Sequence, residues 1–247
     1  MVRKLKAKYG AIEHLTLSVF VVLTLVGQAR ATACHAGWPD LTVLAFGQAA
    51  DPAAAKLSPA ILSRVKPTVL ELEVDNSHGA TPPPQLSLYT LPCRRVASLT
   101  AGPRPKGSST VVGLYRKIGP LVQAMAPGVP AKAPEGLAAR MRTFDLIVLS
   151  NAKAGRDAEF NRWYDTEHLP DVLKIPGFET GQRFELVSNL TPSVFQLPRY
   201  AVRFILRSVD LQATITEVRR RLATGVTRPG PDFDMATSIS RYYRRKK

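Results

Sequence analysis

The sequence predicts an α+β fold, a strand–helix–strand–strand–helix–strand unit over residues 141–247 preceded by a poorly structured N-terminal extension. Three observations carry that expectation. Apolar and β-branched runs with the strand period fall after Met141, two segments there repeat apolar residues three and four apart, and 14 of the 20 prolines fall before it.

Phe144 to Ser150 (FDLIVLS) is a continuous apolar run of the kind a strand buried on both faces requires. After a polar turn at Gly155, Asp157 offers an N-cap carboxylate and Glu159 adds favourable charge to the first turn of a helix from about Ala158 to His168. Phe160, Trp163, Tyr164 and His168 share one face of it. Pro170 cannot continue the hydrogen-bond ladder and opens a new short turn through Asp171 to Lys174, before Pro176-Gly177 turns the chain back. Alternation from Phe178 to Leu186 sets Phe178, Phe184 and Leu186 against Glu179, Arg183 and Glu185. Tyr200 to Leu206 likewise sets Tyr200, Val202, Phe204 and Leu206 against Ala201, Arg203 and Ile205. A second helix follows with Ser208 as its candidate cap, Leu211, Ile215, Val218 and Leu222 as its apolar face and Gly225 as its stop. Ala236 to Tyr243 is the last strand, ahead of the basic tail Arg244 to Lys247. This is the ferredoxin-like order, with two helices on one face of a four-stranded antiparallel sheet. The other face needs cover, and pairing two copies across a twofold axis supplies it, so a homodimer is expected.

Residues 1–140 show no such pattern. Arg3, Lys4, Lys6 and Lys8, an apolar run from Leu15 to Gly27, and the small residues Ala29, Ala31 and Ala33 match the three zones of a secretory signal over residues 1–33. Residues 34–140 hold short apolar pieces, Leu41 to Phe46 and Val69 to Val74 among them, separated by proline clusters that resist helix and strand. A short helix is the most expected of Thr110 to Ala126, because Gly119-Pro120 interrupts it. Met141 stands where an initiator would. The protein is cytoplasmic if translation starts there and exported if the signal-like segment operates, in which case Cys34 and Cys93 are free to pair or to remain unrelated.

Composition excludes several classes. Two cysteines in 247 residues exclude a disulfide miniprotein, and 45% hydrophobic residues exclude wholesale disorder. The apolar run at residues 15–27 is too short to span a bilayer comfortably, so no stable membrane span is expected. The net charge of +15 invites nucleic acid, yet Arg219-Arg220-Arg221 and Arg244-Arg245-Lys246-Lys247 lack interleaved aromatics, and no nucleic-acid partner is expected. Of His14, His35, His78 and His168 only the last lies in the patterned unit, and with no Cys-x-x-Cys or His-Glu-x-x-His spacing no metal site is expected.

His168 lies one helical turn from Tyr164 and near Asp165 and Asp171, so a carboxylate can orient its ring while the other nitrogen addresses a pocket as general acid or base. The surrounding segment EFNRWYDTEHLPDVLKIPGF, Glu159 to Phe178, resembles the EthD-like branch of the dimeric α/β-barrel superfamily. The match is densest over WYDTEHLPD, Trp163 to Asp171, and extends to RYAVRF at Arg199 to Phe204. It covers residues 141–247 only. The resemblance implies a hydrophobic, aromatic or polyketide-like carbonyl compound bound between sheet and helices and turned over without a cofactor, by cyclase, isomerase, lyase or monooxygenase chemistry. Carried over, His168 is the proton-transfer group, Asp165 or Asp171 orients it, Trp163, Tyr164 and Phe184 shape the pocket, and Arg203 is a candidate substrate contact. Some relatives hold haem through a histidine, for which His168 is the one candidate in the unit.

Plainer roles stand beside each of these. His168 before Pro170 suits a helix C-cap, Trp163 and Phe160 suit an ordinary core, Asp165 and Asp171 suit caps or solvated positions, and Arg203 suits a cross-strand pair with Glu185. The matching alternative for the whole chain is a non-catalytic ligand-binding or accessory protein.

Overall fold

Strands occur on both sides of Met141. The structure is a computed structural model that describes residues 40–47, 65, 67–92, 109–125, 136, 140–191, 195–228 and 230–246. Before Met141 lie β1 (Leu41–Gly47), β2 (Thr68–Asp75), β3 (Gln85–Leu91) and β4 (Val111–Gln123). After it lie β5 (Arg142–Ser150), β6 (Phe178–Asn189), β7 (Tyr200–Ser208) and β8 (Ile239–Arg245). They close into one antiparallel barrel in the order β1-β3-β2-β8-β5-β7-β6-β4. Each half therefore contributes its strands in the same permutation, fourth, first, third, second. The halves join where the fourth strand of each pairs with the second strand of the other, β4 with β6 and β8 with β2.

The expectation of a low-order extension over residues 34–140 is corrected by these four strands. Pro67, Pro82, Pro83, Pro84 and Pro92 fall between strands, where a missing N–H costs no ladder bond. Pro120 lies inside β4, but Gly119 there has φ 67°, and the register with β6 shifts between Ile118 and Val122. A bulge absorbs the proline, so Val111–Gln123 is one long strand rather than a short helix. The signal-like segment over residues 1–33, Cys34 and Cys93 lie outside the described residues. Among the described residues no helix is long and apolar enough to cross a membrane.

Alternation along the strands separates three cores among the described residues, one of them formed by Leu41, Val43, Tyr89, Leu91, Val112 and Leu114 of the first half alone. Phe144 and Leu146 of β5, with Tyr200, Val202, Phe204 and Leu206 of β7, face the helices. Ile147 and Leu149 face the barrel interior, where Leu44, Phe46, Leu70, Leu86 and Tyr115 of the first half meet Phe184, Ala201 and Tyr243 of the second. The sheet face that called for a second copy is thus covered within one chain. At one end of this interior sits Asp145, fully buried and bonded by Arg203 and, at 3.1 Å, by Arg245. Removing both cations leaves a buried carboxylate without a partner, a loss that typically costs about 3–5 kcal/mol.

Three helices serve the second half: α1 (Asp157–Trp163), α2 (Leu169–Leu173) and α3 (Leu211–Ala223). A single π turn, Tyr164–His168, joins the first two, and the Leu169 N–H donates to the Tyr164 carbonyl five residues back. His168 and Leu169 keep right-handed helical torsions, so the segment does not stop at His168 and no C-cap forms there. The widened turn makes room for Pro170, which can neither donate to the carbonyl four residues back nor sit close to it. Two caps also differ from expectation. Asp157 is the first helical residue and its carboxylate accepts from the Tyr200 hydroxyl at 2.7 Å, while Asp210 rather than Ser208 caps α3 by accepting from the Ala213 N–H. In β6 a bulge between Phe178 and Thr180 reverses the alternation. Phe178 therefore faces the helices and Phe184 the barrel interior, although a strict period of two puts them on one face.

Closure has a measurable consequence. A chain cut to residues 141–247 exposes the edges of β6 and β8 and one apolar sheet face, and is expected to elute in gel filtration at twice its chain mass or more. A folded monomeric fragment would contradict this.

Candidate functional site

Arg183 of β6 holds the first helix and the π turn against the sheet. Its side chain is 3% exposed, donates to the Asn161 backbone carbonyl and Oδ1, and pairs with Asp165 at 2.7 Å. Its guanidinium lies 4.6 Å from the centre of the Tyr164 ring. Asn161 also donates to the Tyr200 hydroxyl, which donates to Asp157. A polar network thus fixes α1, with the buried Phe160 ring packed against Tyr200 beside it, centroids 5.0 Å apart.

Between these helices and the sheet is a cavity of about 480 Å³, walled by apolar side chains that include Trp163, Val172, Phe178, Phe204, Ile215 and Phe233. One wall belongs to the segment between α3 and β8, where Lys153 N–H to Asp232 carbonyl and Asp234 N–H to Asn151 carbonyl bonds hold residues 230–234 beside the start of α1. Gly230 meets the Trp163 ring there, where a Cβ would stand 2.4 Å from it. From the first half, Asn76, Ser77 and His78 after β2 complete the mouth.

His168 borders this cavity. Its ring lies on Trp163, centroids 4.6 Å apart, with the Tyr164 ring edge-on at 4.9 Å. Burial pushes its pKa down to about 4, against smaller upward pulls from a hydrogen bond to the Arg228 backbone and from the charge of Asp171. Nδ1 is buried and has no hydrogen-bond partner. Thr227 Oγ1, in the same lining, is likewise buried and unpartnered. Each unmet group costs about 1–3 kcal/mol, which a bound molecule with matching polar atoms recovers. Burial also pushes Tyr242, in the cavity wall, up to about 12, so it is a neutral hydroxyl at physiological pH.

The structure brings together His168, Trp163 and Tyr164, as the helical spacing implies. The carboxylates have other partners: Asp165 is paired with Arg183 and Asp171 with Lys174 at 2.7 Å, and only the charge of Asp171 reaches the imidazole. Phe184 and Arg203 face the barrel interior, on the opposite side of the sheet. Arg203 bonds Asp145, and the Glu185 expected as its partner is held by Arg116 and Arg199. The basic clusters are partly neutralised, Arg220 and Arg221 by Glu217 and Arg244 by Glu71 and Glu73. Arg183, Thr227, Arg219 and residues 76–78 were not legible as site residues. Arg183 alternates with Glu179 and Glu185 along the sequence, so it reads as one more residue of a polar strand face.

No protein-family model and no curated protein sequence matches the chain. Among solved structures it is similar to an anthrone oxidase-like protein (TM-score 0.46, 13% identity, 84% of this chain and 92% of that one). It is also similar to a major regulator of staphylococcal pathogenesis (0.41, 8%, 84% and 99%). A third is a mutant chlorite dismutase from Candidatus Nitrospira defluvii in complex with cyanide (0.40, 9%, 84% and 92%). All three superpose loosely, and such identities leave the chemistry of this chain to its own residues.

Two measurements probe the site. Because the His168 pKa is lowered in the folded state, its contribution to stability is full above the unfolded value of about 6.5 and falls as pH drops through about 4. Wild type is expected to lose about 3 kcal/mol more than His168→Phe between those limits, read as the difference between two urea-melt series. Gly230→Ala is expected to displace Trp163, lowering Tm and shifting the Trp163 emission maximum; unchanged emission would show that the loop yields instead.

Proposed function

We propose that this chain binds a flat hydrophobic molecule, an aromatic or polyketide-like carbonyl compound, between α1, α3 and the helix-facing side of the second-half sheet, and that His168 exchanges a proton with it. The observation that carries the reading is the unpartnered His168 Nδ1 at the wall of an apolar cavity of about 480 Å³. Each half of the chain is, in this reading, a ferredoxin-like unit, and the EthD-like motif around His168 belongs to the half that carries the pocket. The matching strand permutations of the two halves support that assignment. They also support pairing between halves in the place of the expected homodimer.

A ring with a pKa near 4 is a weak base in the empty cavity. An enol or phenol donating to the imidazole offsets the desolvation that holds the pKa down, and a developing enolate beside the imidazolium raises it further. Asp165 and Asp171 act in this scheme only through the positions of the π turn and α2. The accessory reading draws on the same low pKa, since a permanently neutral imidazole suits recognition as well as catalysis.

Exchange of the α-protons of 2-tetralone in D2O, followed by NMR, distinguishes the two. Wild type is expected to accelerate exchange and His168→Ala to lose 10²-fold or more of that acceleration, the usual range for a positioned acid–base group. Binding that depends on His168 without any exchange establishes the accessory role.

A further inference from the structure

The mouth of the His168 cavity carries a charge that the apolar ligand of the preceding section does not use. Arg219, on the exposed side of α3, lines the cavity, and its Nη2 donates to Asn76 Oδ1 at 2.8 Å, which holds the guanidinium over the opening. No ion pair of Arg219 with a carboxylate occurs among the described residues, whereas Arg220 and Arg221 beside it both bond Glu217. The described lining contains His78, His168 and Arg219 but no Asp or Glu. Ser77, next to Asn76, donates its N–H and hydroxyl to Asp75, whose carboxylate is paired with Arg241. Arg219 therefore leaves the opening positive, while the interior offers the unpartnered His168 Nδ1 and Thr227 hydroxyl.

We infer that the ligand is an amphiphile, an aromatic carboxylic acid whose ring system fills the cavity beside Trp163 and His168 and whose carboxylate is held at the mouth by Arg219. The planar fork of the guanidinium suits a carboxylate, and Asn76 Oδ1 leaves its remaining N–H groups free to donate. The residues after β2 are part of the specificity device, so the first half of the chain selects the molecule that the second half encloses. This inference rests on the proposed pocket and deepens it by naming the polar end of the ligand and the residue that reads it.

The test compares 2-naphthoate with 2-naphthamide, which share a ring and differ in charge, by quenching of tryptophan fluorescence in the full chain at low ionic strength. Wild type is expected to bind the acid about five-fold more tightly than the amide, a modest preference because Arg219 is solvent-exposed. Arg219→Gln is expected to abolish that preference while leaving the affinity for the amide unchanged. His168→Ala is expected to weaken both probes equally. Equal binding of acid and amide by wild type, or a preference that survives in Arg219→Gln, overturns the carboxylate assignment and leaves the pocket standing. Failure of both probes to bind, or binding indifferent to His168→Ala, overturns the pocket reading and this inference with it.

Discussion

Closure of the sheet is the constraint from which the other features follow. Four strands with helices on one face leave the other face bare, and here that face carries Ile147, Leu149, Phe184 and Tyr243, all buried, together with a fully buried Asp145. In water such a surface drives association. The first half of the chain satisfies it by placing β2 beside β8 and β4 beside β6, which leaves no strand edge unpaired and seals the apolar side chains of both halves into one interior. Asp145 is compensated within the second half itself, because Arg203 comes from β7 and Arg245 from β8, both brought to β5 by the ladder.

With one side of the second-half sheet committed to the barrel, its other side is left for the helices, and there the packing is deliberately incomplete around His168. Arg183 and its network pull the start of α1 down onto β6 and β7. The π turn then rotates Tyr164 and His168 relative to a regular helix, and Leu169 and Val172 return to the core. The space between this pinned segment and α3 is the cavity. A buried neutral imidazole, an unpartnered threonine hydroxyl and a cation at the rim give an otherwise apolar space a direction, polar inside at one wall and positive at the opening.

Much of the second half is legible along the chain. The order of its elements, the face shared by Trp163, Tyr164 and His168, and the alternation of Tyr200 to Leu206 all follow from spacing, because each side chain's direction there is fixed by the local backbone period. The first half is not legible in the same way. Its strands are short apolar pieces between prolines, and a proline's effect depends on whether its nitrogen faces a partner, which no local pattern records. Phe184 illustrates the same limit: one bulged residue near Phe178 moves it through the sheet.

The sequence by itself determined the α+β character of residues 141–247 and the placing of one histidine beside two aromatic rings on a helical face. Both are consequences of residue period, and period is a short-range property. Tertiary structure alone decided that residues 41–123 close the barrel, that Asp165 pairs with Arg183 and Asp171 with Lys174, and that Arg203 belongs to the barrel while Thr227 and Arg219 line the cavity. Those outcomes depend on which distant groups compete for each charge and each unpaired strand edge. Such competition is settled only when the whole chain has closed.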